Sequence, residues 1–246
     1  MVTKKRCLLW DWTNTQGVPH EIDKINFDGP MNSVSNWNTW IPPELKGRAA
    51  FRPMIHDLAK LSGSEWTNIE NTKDGLIHYF NEPERAGITA EQAADIWFKQ
   101  VVQLRNQGNK LVSPSCASDP QGEAWFTEFM DRVEKDPPDF IGVHYYGTDK
   151  NAAIKYFENM HNKHSKHPLY ISELASISRK HEDVVEFTVD VANWCDQTPW
   201  IHEYAFFGCM RNVADNFVSP EAQLMNPDGS LKPLMHKIMN EQPMRK

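Results

Sequence analysis

No run in this chain approaches the roughly 18 consecutive apolar residues that a membrane-spanning helix needs. The charged start, Met1-Val-Thr-Lys-Lys-Arg6, leads straight into a short apolar strand and not into a cleavable leader, so a soluble chain is expected. Cationic surface is also scarce: 26 Lys and Arg stand against 33 Asp and Glu, a formal net charge of −7. The basic residues are scattered and form no stripe that could neutralise phosphates, so nucleic acid is not an expected partner. Four cysteines, Cys7, Cys116, Cys195 and Cys209, are too few to scaffold 246 residues. Three of them lie in apolar runs where a thiol acts as a small hydrophobe, so buried free thiols are expected. There is no Asn-x-Ser/Thr acceptor, which is slightly unusual for a secreted eukaryotic protein of this size. Linker composition is missing as well. With 40% hydrophobic and 24% charged residues, residues 1–246 are read as one globular domain.

What is present is a recurrent alternation. Eight short apolar cores read as strands: 5–12, 33–40, 49–56, 76–82, 110–115, 140–146, 169–173 and 201–208. Helical periodicity fills the intervals. Thr89 opens one helix, with Glu91 and Gln92 in its first turn and apolar residues at Ala93, Ile96, Trp97, Val101 and Leu104 before Gly108. Others are predicted over 57–70, 122–134, 149–163, 180–196 and 232–240. Strands alternating with helices imply parallel pairing, and eight such strands imply an α/β fold closed into a short (β/α)8 TIM barrel. The first two units look trimmed. Residues 13–33, with Gly17, Pro19, Gly29 and Pro30, offer only a short helix at 20–24, and 41–48 is too short for a crossover helix.

Two carboxylates close strands of this pattern. Asn81-Glu82-Pro83 ends the run Gly75-Leu-Ile-His-Tyr-Phe80, and Glu173 ends Pro168-Leu-Tyr-Ile-Ser. They stand roughly 90 residues apart, about three units if a barrel of about 250 residues takes about 31 for each. That assigns them to the fourth and seventh strands. Hydrolysis of a glycosidic bond needs a proton for a poor leaving group and stabilisation of an oxocarbenium-like transition state, and two carboxyl groups about 5–5.5 Å apart supply both through a covalent intermediate. Glu82, against an apolar wall and near an ionised Glu173, is expected to have a raised pKa and to act as the acid. The bland reading, two capping or surface glutamates, does not account for their shared placement.

The chain resembles glycoside hydrolase family 128, endo-β-1,3-glucanases with a short (β/α)8 barrel in retaining clan A. The likeness runs over nearly its whole length. It is carried by Leu9-Trp-Asp-Trp-Thr13, Ser35-Asn-Trp-Asn38, Phe51-Arg-Pro-Met54, Phe80-Asn-Glu-Pro83, Val143-His-Tyr-Tyr-Gly147 and Tyr170-Ile-Ser-Glu-Leu174. The resemblance implies retaining, internal cleavage of laminarin-type β-1,3-glucan with Glu82 as acid/base and Glu173 as nucleophile. It implies no cofactor, a monomer with glucan as its partner, and an extracellular location in view of the substrate, with the cytoplasm as the alternative. Phe206-Phe207 departs from the pattern, since many clan relatives carry a Trp floor there; Phe206 is the expected substitute.

Further contacts are expected around this pair. Asn81 would bond a sugar hydroxyl, unless it only turns the chain before Pro83. His144 and Tyr146 share one face of the sixth strand and Tyr145 the other. Each of the three is a candidate contact, and a tyrosine could orient the nucleophile; satisfied core aromatics are the alternative. Nine tryptophans are many, and aromatic faces stack on pyranose rings. Trp37 is the preferred subsite platform, with Asn38 and Trp40 beside it, while Trp97 reads as core. Trp125 and Phe126 would either edge the groove or pack a helix. Two other classes compete: a metal-dependent hydrolase using His56, His78 and His144, which lack any His-x-His spacing, and a glucan-binding protein on an inactive barrel.

Overall fold

The computed structural model describes residues 2–16, 18 and 20–246. Met1, Gly17 and Pro19, which entered the sequence reading, lie outside the described residues. Among the described residues nine strands run in chain order: β1 (Arg6–Leu9), β2 (Met31–Ser35), β3 (Ala50–Phe51), β4 (Met54–Ile55), β5 (Leu76–Tyr79), β6 (Lys110–Val112), β7 (Ile141–Gly147), β8 (Leu169–Ser176) and β9 (Ile201–Phe206). β3 and β4 are the two halves of the third expected strand, divided by Arg52-Pro53, because proline has no N–H to give to a ladder. One sheet has the order β3-β2-β1-β9-β8-β7 and the other β4-β5-β6. Parallel bridges Val112–Phe140 and Cys116–Val143 join β6 to β7, and the chain itself passes from β3 to β4. The eight-unit α/β barrel closes in this way.

Six α-helices among the described residues cover it: α1 (Gly63–Glu70), α2 (Ala90–Ile96), α3 (Pro120–Arg132), α4 (Lys150–Lys163), α5 (His181–Gln197) and α6 (Pro233–Asn240). Thr89 caps α2 by accepting from Gln92 N, as its side chain favours. The helical path then widens to a π-turn over Trp97–Val101, tightens to 3-10, and stops at Gly108, whose φ of 79° suits glycine. Among the described residues the trimmed early units hold short 3-10 turns, at Trp12–Thr15, Glu21–Lys24 and Pro43–Leu45.

Strand alternation sorts the core into two layers. Cys7, Leu9, Leu76, Val112, Tyr170 and Ala205 pack inside the barrel, with Trp37, Phe140 and Phe207 against them. Leu8, Trp10, Ile77, Tyr79, Ile171, Tyr204 and Phe206 face the helices. All four thiols are free and buried. Deep in the barrel Glu203 accepts from Arg52, Ser33, Tyr170 Oη at 2.9 Å and Asn32 Nδ2 at 2.8 Å. Burial alone would raise its pKa, but the Arg52 charge and the hydrogen bonds from Arg52 and Ser33 hold it below its ordinary value. Removing Arg52 would strand that charge, at a cost of about 3–5 kcal/mol. This polar layer is the rigid floor beneath the mouth where Glu82 and Glu173 emerge.

Candidate active site

The backbone at the mouth is strained where the chemistry needs it. Four non-glycine residues among those described have φ between 41° and 60°, and three of them, Trp37, Phe80 and Glu82, belong to or flank this site. Each costs on the order of 1–3 kcal/mol, which the surroundings must offset. Around Glu82 they do so by hydrogen bonding. Phe80 N donates to Ile55 O, Asn81 N to His56 O and Glu82 N to Ser115 O, all at 2.8–3.0 Å. The turn that carries Glu82 is thereby fastened to both neighbouring strands.

Glu173 stands within β8, three residues before the strand ends at Ser176, and is 6% exposed. Each of its oxygens has a donor. Trp37 Nε1 reaches Oε1 at 2.8 Å and Tyr146 Oη reaches Oε2 at 2.6 Å. Burial and the adjacent Glu173 charge push the Tyr146 phenol well above its ordinary pKa, so it stays protonated and donates.

His144, 1% exposed, lies between the carboxylates. Its Nδ1 is 2.9 Å from Glu82 Oε1 and 3.7 Å from Glu173 Oε2, so that when both carboxylates are ionised Nδ1 carries the proton and donates it. Burial lowers the imidazole pKa, but Glu173 and Glu82 outweigh it and the net shift is upward. For Glu82 the balance runs the other way. Burial raises its pKa, yet the His144 bond and charge, with Arg85 adding to them, bring it below the ordinary value. The raised pKa expected of Glu82 is therefore corrected for the free protein, because the imidazole of a distant strand, together with Arg85, outweighs the effect of burial.

Glu82, Tyr146 and Glu173 line one cleft of about 600 Å³ together with Arg85, Ala117, Ser118, Asp119, Phe207, Asp215 and Phe217, a volume typical of ligand sites. Trp37 reaches the site, but its N–H is engaged by Glu173 and its ring meets Phe207 edge-on at 5.6 Å. Asn81 stands next to Glu82, its Oδ1 buried without a protein partner among the described residues.

Several expected contacts are corrected. Tyr145 faces outward and packs on Tyr156, Phe157 and Phe187. Phe206 is buried against Tyr204 in the helix-facing layer, and its neighbour Phe207 lines the cleft instead. Asn38 turns back on its own loop, donating from Nδ2 to Asn36 O at 3.0 Å. Trp40 packs edge-on against Trp12 at 6.0 Å, not against the carboxylates. Trp125 and Phe126 are helix packing: Trp125 donates to Ile88 O and stacks on Phe129, and Phe126 is buried. The three histidines do not converge. His56 pairs with Asp57, His78 meets Tyr170 edge-on deep in the barrel, and His144 serves the glutamates. No group of three or more His, Cys, Asp or Glu among the described residues could hold a metal ion.

The sequence reading missed Phe207, Arg85 and Phe217. Period-two alternation along β9 could have found the first, since Glu203 and Ala205 point inward and Phe207 continues that face. Arg85 and Phe217 lie on loops with no periodic signal.

A parallel eight-unit barrel with two buttressed glutamates at its C-terminal mouth defines the class: the glycosyl hydrolase catalytic core, whose family profile matches residues 12–237. Within it, the chain belongs to glycoside hydrolase family 128. A subgroup VI exo-β-1,3-glucanase of that family from Aureobasidium namibiae is 57% identical, with full coverage of both chains and a TM-score of 0.98. A curdlan-specific exo-β-1,3-glucanase from Blastomyces gilchristii, in complex with glucose, is 21% identical over 89% of this chain and 95% of its own, with a TM-score of 0.71, and shares the fold. Alkali-sensitive linkage protein 1 of Schizosaccharomyces pombe is 31% identical over 102 residues, 39% of this chain. That match spans only 18% of the yeast protein.

Proposed function

We propose that this chain is an exo-acting β-1,3-glucanase working with retention of configuration, with Glu173 as nucleophile and Glu82 as acid/base. The observation that carries the mechanism is the shared imidazole: Glu82 and Glu173 both lie within 4 Å of His144 Nδ1. Two oxygens at 2.9 and 3.7 Å from one nitrogen lie at most about 6.6 Å apart, which supports the short spacing of about 5–5.5 Å used by retaining pairs over the spacing of about 6.5–9.5 Å that accommodates an inverting water. Glu173 attacks the anomeric carbon as the bond to the leaving O3 breaks, and Glu82 gives its proton to that oxygen. Glu82 then takes a proton from water, whose oxygen displaces Glu173 and releases the sugar as the β-anomer. Two donors on Glu173 aim it while it is anionic, and Phe207 offers an apolar floor for the reacting ring.

End-wise action replaces the internal cleavage expected from the sequence. Its support is the 57% identical relative, an exo-β-1,3-glucanase; the endo-β-1,3-glucanase from Lentinula edodes is 23% identical and speaks only to the fold. Digestion of long linear β-1,3-glucan is the test. Exo-action releases one short product from the first time point while viscosity falls slowly. Early loss of viscosity with a ladder of oligosaccharides would restore the endo reading, and binding without any product would favour an inactive glucan-binding barrel.

The donors on Glu173 give a second expectation. These donors hold Glu173 in its attacking position, and a misplacement of about 1 Å can cost on the order of 10²-fold, so Tyr146→Phe or Trp37→Phe should each lower kcat roughly 10- to 100-fold. KM should move little. A Trp37→Phe variant with unchanged kcat but weakened oligosaccharide binding would return Trp37 to the stacking role.

A further inference from the structure

The two oxygens of Glu82 have different surroundings. Oε1 is taken by His144, whereas Oε2 lies 3.4 Å from Nε of Arg85. Arg85 is 53% exposed and yet fixed in place. Its Nη2 donates to Asp119 Oδ2 at 2.5 Å, and the other Asp119 oxygen caps α3 by accepting from Gly122 N at 2.8 Å. Beneath this pair, buried Glu84 accepts from Ala117 N at 2.8 Å, stapling the turn after Glu82 to the segment that carries Asp119. Arg85 Nη1 has no protein partner among the described residues, and Arg85, Ala117, Ser118 and Asp119 form one wall of the cleft.

An isolated exposed Arg–Asp pair contributes little to stability. This one is braced by a helix cap and a buried carboxylate, and it sits beside the only Glu82 oxygen free for the leaving group. Resting on the assignment of Glu82 as acid/base, we propose that Arg85, braced by Asp119, binds the leaving glucosyl unit, so that this wall is the subsite on the reducing-end side of the scissile bond. Protonation from Oε2 brings the leaving oxygen beside the guanidinium, and the ring that owns this oxygen must then extend along the same wall. In a β-1,3 linkage the leaving O3 is flanked by hydroxyls on C2 and C4, so a planar fork of N–H donors meets an acceptor on either side. Asp119 adds an acceptor for the same hydroxyls.

The test compares two substrates that share a glucosyl glycone and differ in leaving group: laminaribiose and 4-nitrophenyl β-glucoside. Arg85→Met keeps the bulk and removes the fork. Its loss in kcat/KM should be at least about tenfold larger on laminaribiose than on the aryl glucoside, and Arg85→Lys should recover only part of it. The alkaline limb of the kcat/KM profile should also move to higher pH in Arg85→Met. Of the charged groups facing Glu82, namely His144 from β7, Glu173 from β8, Glu84 in its own turn, Asp119 across the cleft and Arg85, the variant removes a cation. Equal losses on both substrates, or no loss on either, would overturn the subsite. A wild-type protein inactive on both and on long linear β-1,3-glucan would overturn the glycosidase assignment itself, and the subsite with it; one that digests the long glucan but neither small substrate would overturn the subsite.

Discussion

Glu173→Ala is expected to lower turnover of β-1,3-glucan by on the order of 10⁴-fold or more, as removal of a covalent nucleophile does. Azide should restore reaction. The truncated side chain vacates space beneath the anomeric carbon, where a small anion can attack without needing Glu82 to activate it. The product would be the α-glycosyl azide, inverted relative to the substrate, because one displacement replaces two. The surroundings favour a clean outcome, since Trp37 Nε1 and Tyr146 Oη, which hold the carboxylate at 2.8 and 2.6 Å, remain as donors for the incoming anion. Rescue by azide at Glu82 but not at Glu173, or a β-azide from Glu173→Ala, would exchange the two roles.

Glu82→Ala should discriminate between leaving groups. A sugar alkoxide needs the proton as the bond breaks, so the rate on laminari-oligosaccharides should fall by on the order of 10²–10⁴-fold, the usual contribution of a positioned acid. An activated aryl glycoside, whose phenolate leaves unaided, should lose far less in the bond-breaking step. The charge balance adds a pH expectation. Burial raises the Glu82 pKa but His144 and Arg85 bring it below its ordinary value, so the acid form is lost at lower pH than an unperturbed glutamate would lose it. Activity is therefore expected to peak on the acid side of neutrality and to decline toward pH 7. Exchanging His144 for Asn leaves burial less opposed, and the alkaline limb should shift upward; a limb that stays in place would remove His144 from the titration.

Much of this geometry was legible in the chain. Strands buried on both faces announce themselves as short apolar runs, and their alternation with helical periods leads to a closed parallel barrel. Glu82 and Glu173 were readable because strand ends at fixed unit spacing bring distant residues to one mouth. A tyrosine of the sixth strand was a candidate to orient the nucleophile, but the sequence left open which one. Convergence across the barrel was not legible. The pKa of Glu82 depends on an imidazole from β7 and a guanidinium held by Asp119, and no local pattern encodes either. Trp37 illustrates a second limit: its place at the end of the second expected strand suggested sugar stacking, but from a backbone with φ of 60° its indole N–H meets the Glu173 carboxylate instead. The exchange of Phe206 for Phe207 turned on one residue of register at the end of β9, since a step of one residue along a strand reverses the face.

The central claim is that two glutamates cleave β-1,3-glucan through a covalent intermediate, and proton NMR of the first product tests it most directly. Laminari-oligosaccharide mixed with the enzyme at its working pH should release the β-anomer first, with the α-anomer growing only at the pace of mutarotation. Initial accumulation of the α-anomer would mean a single displacement by water and would contradict the retaining assignment of Glu173.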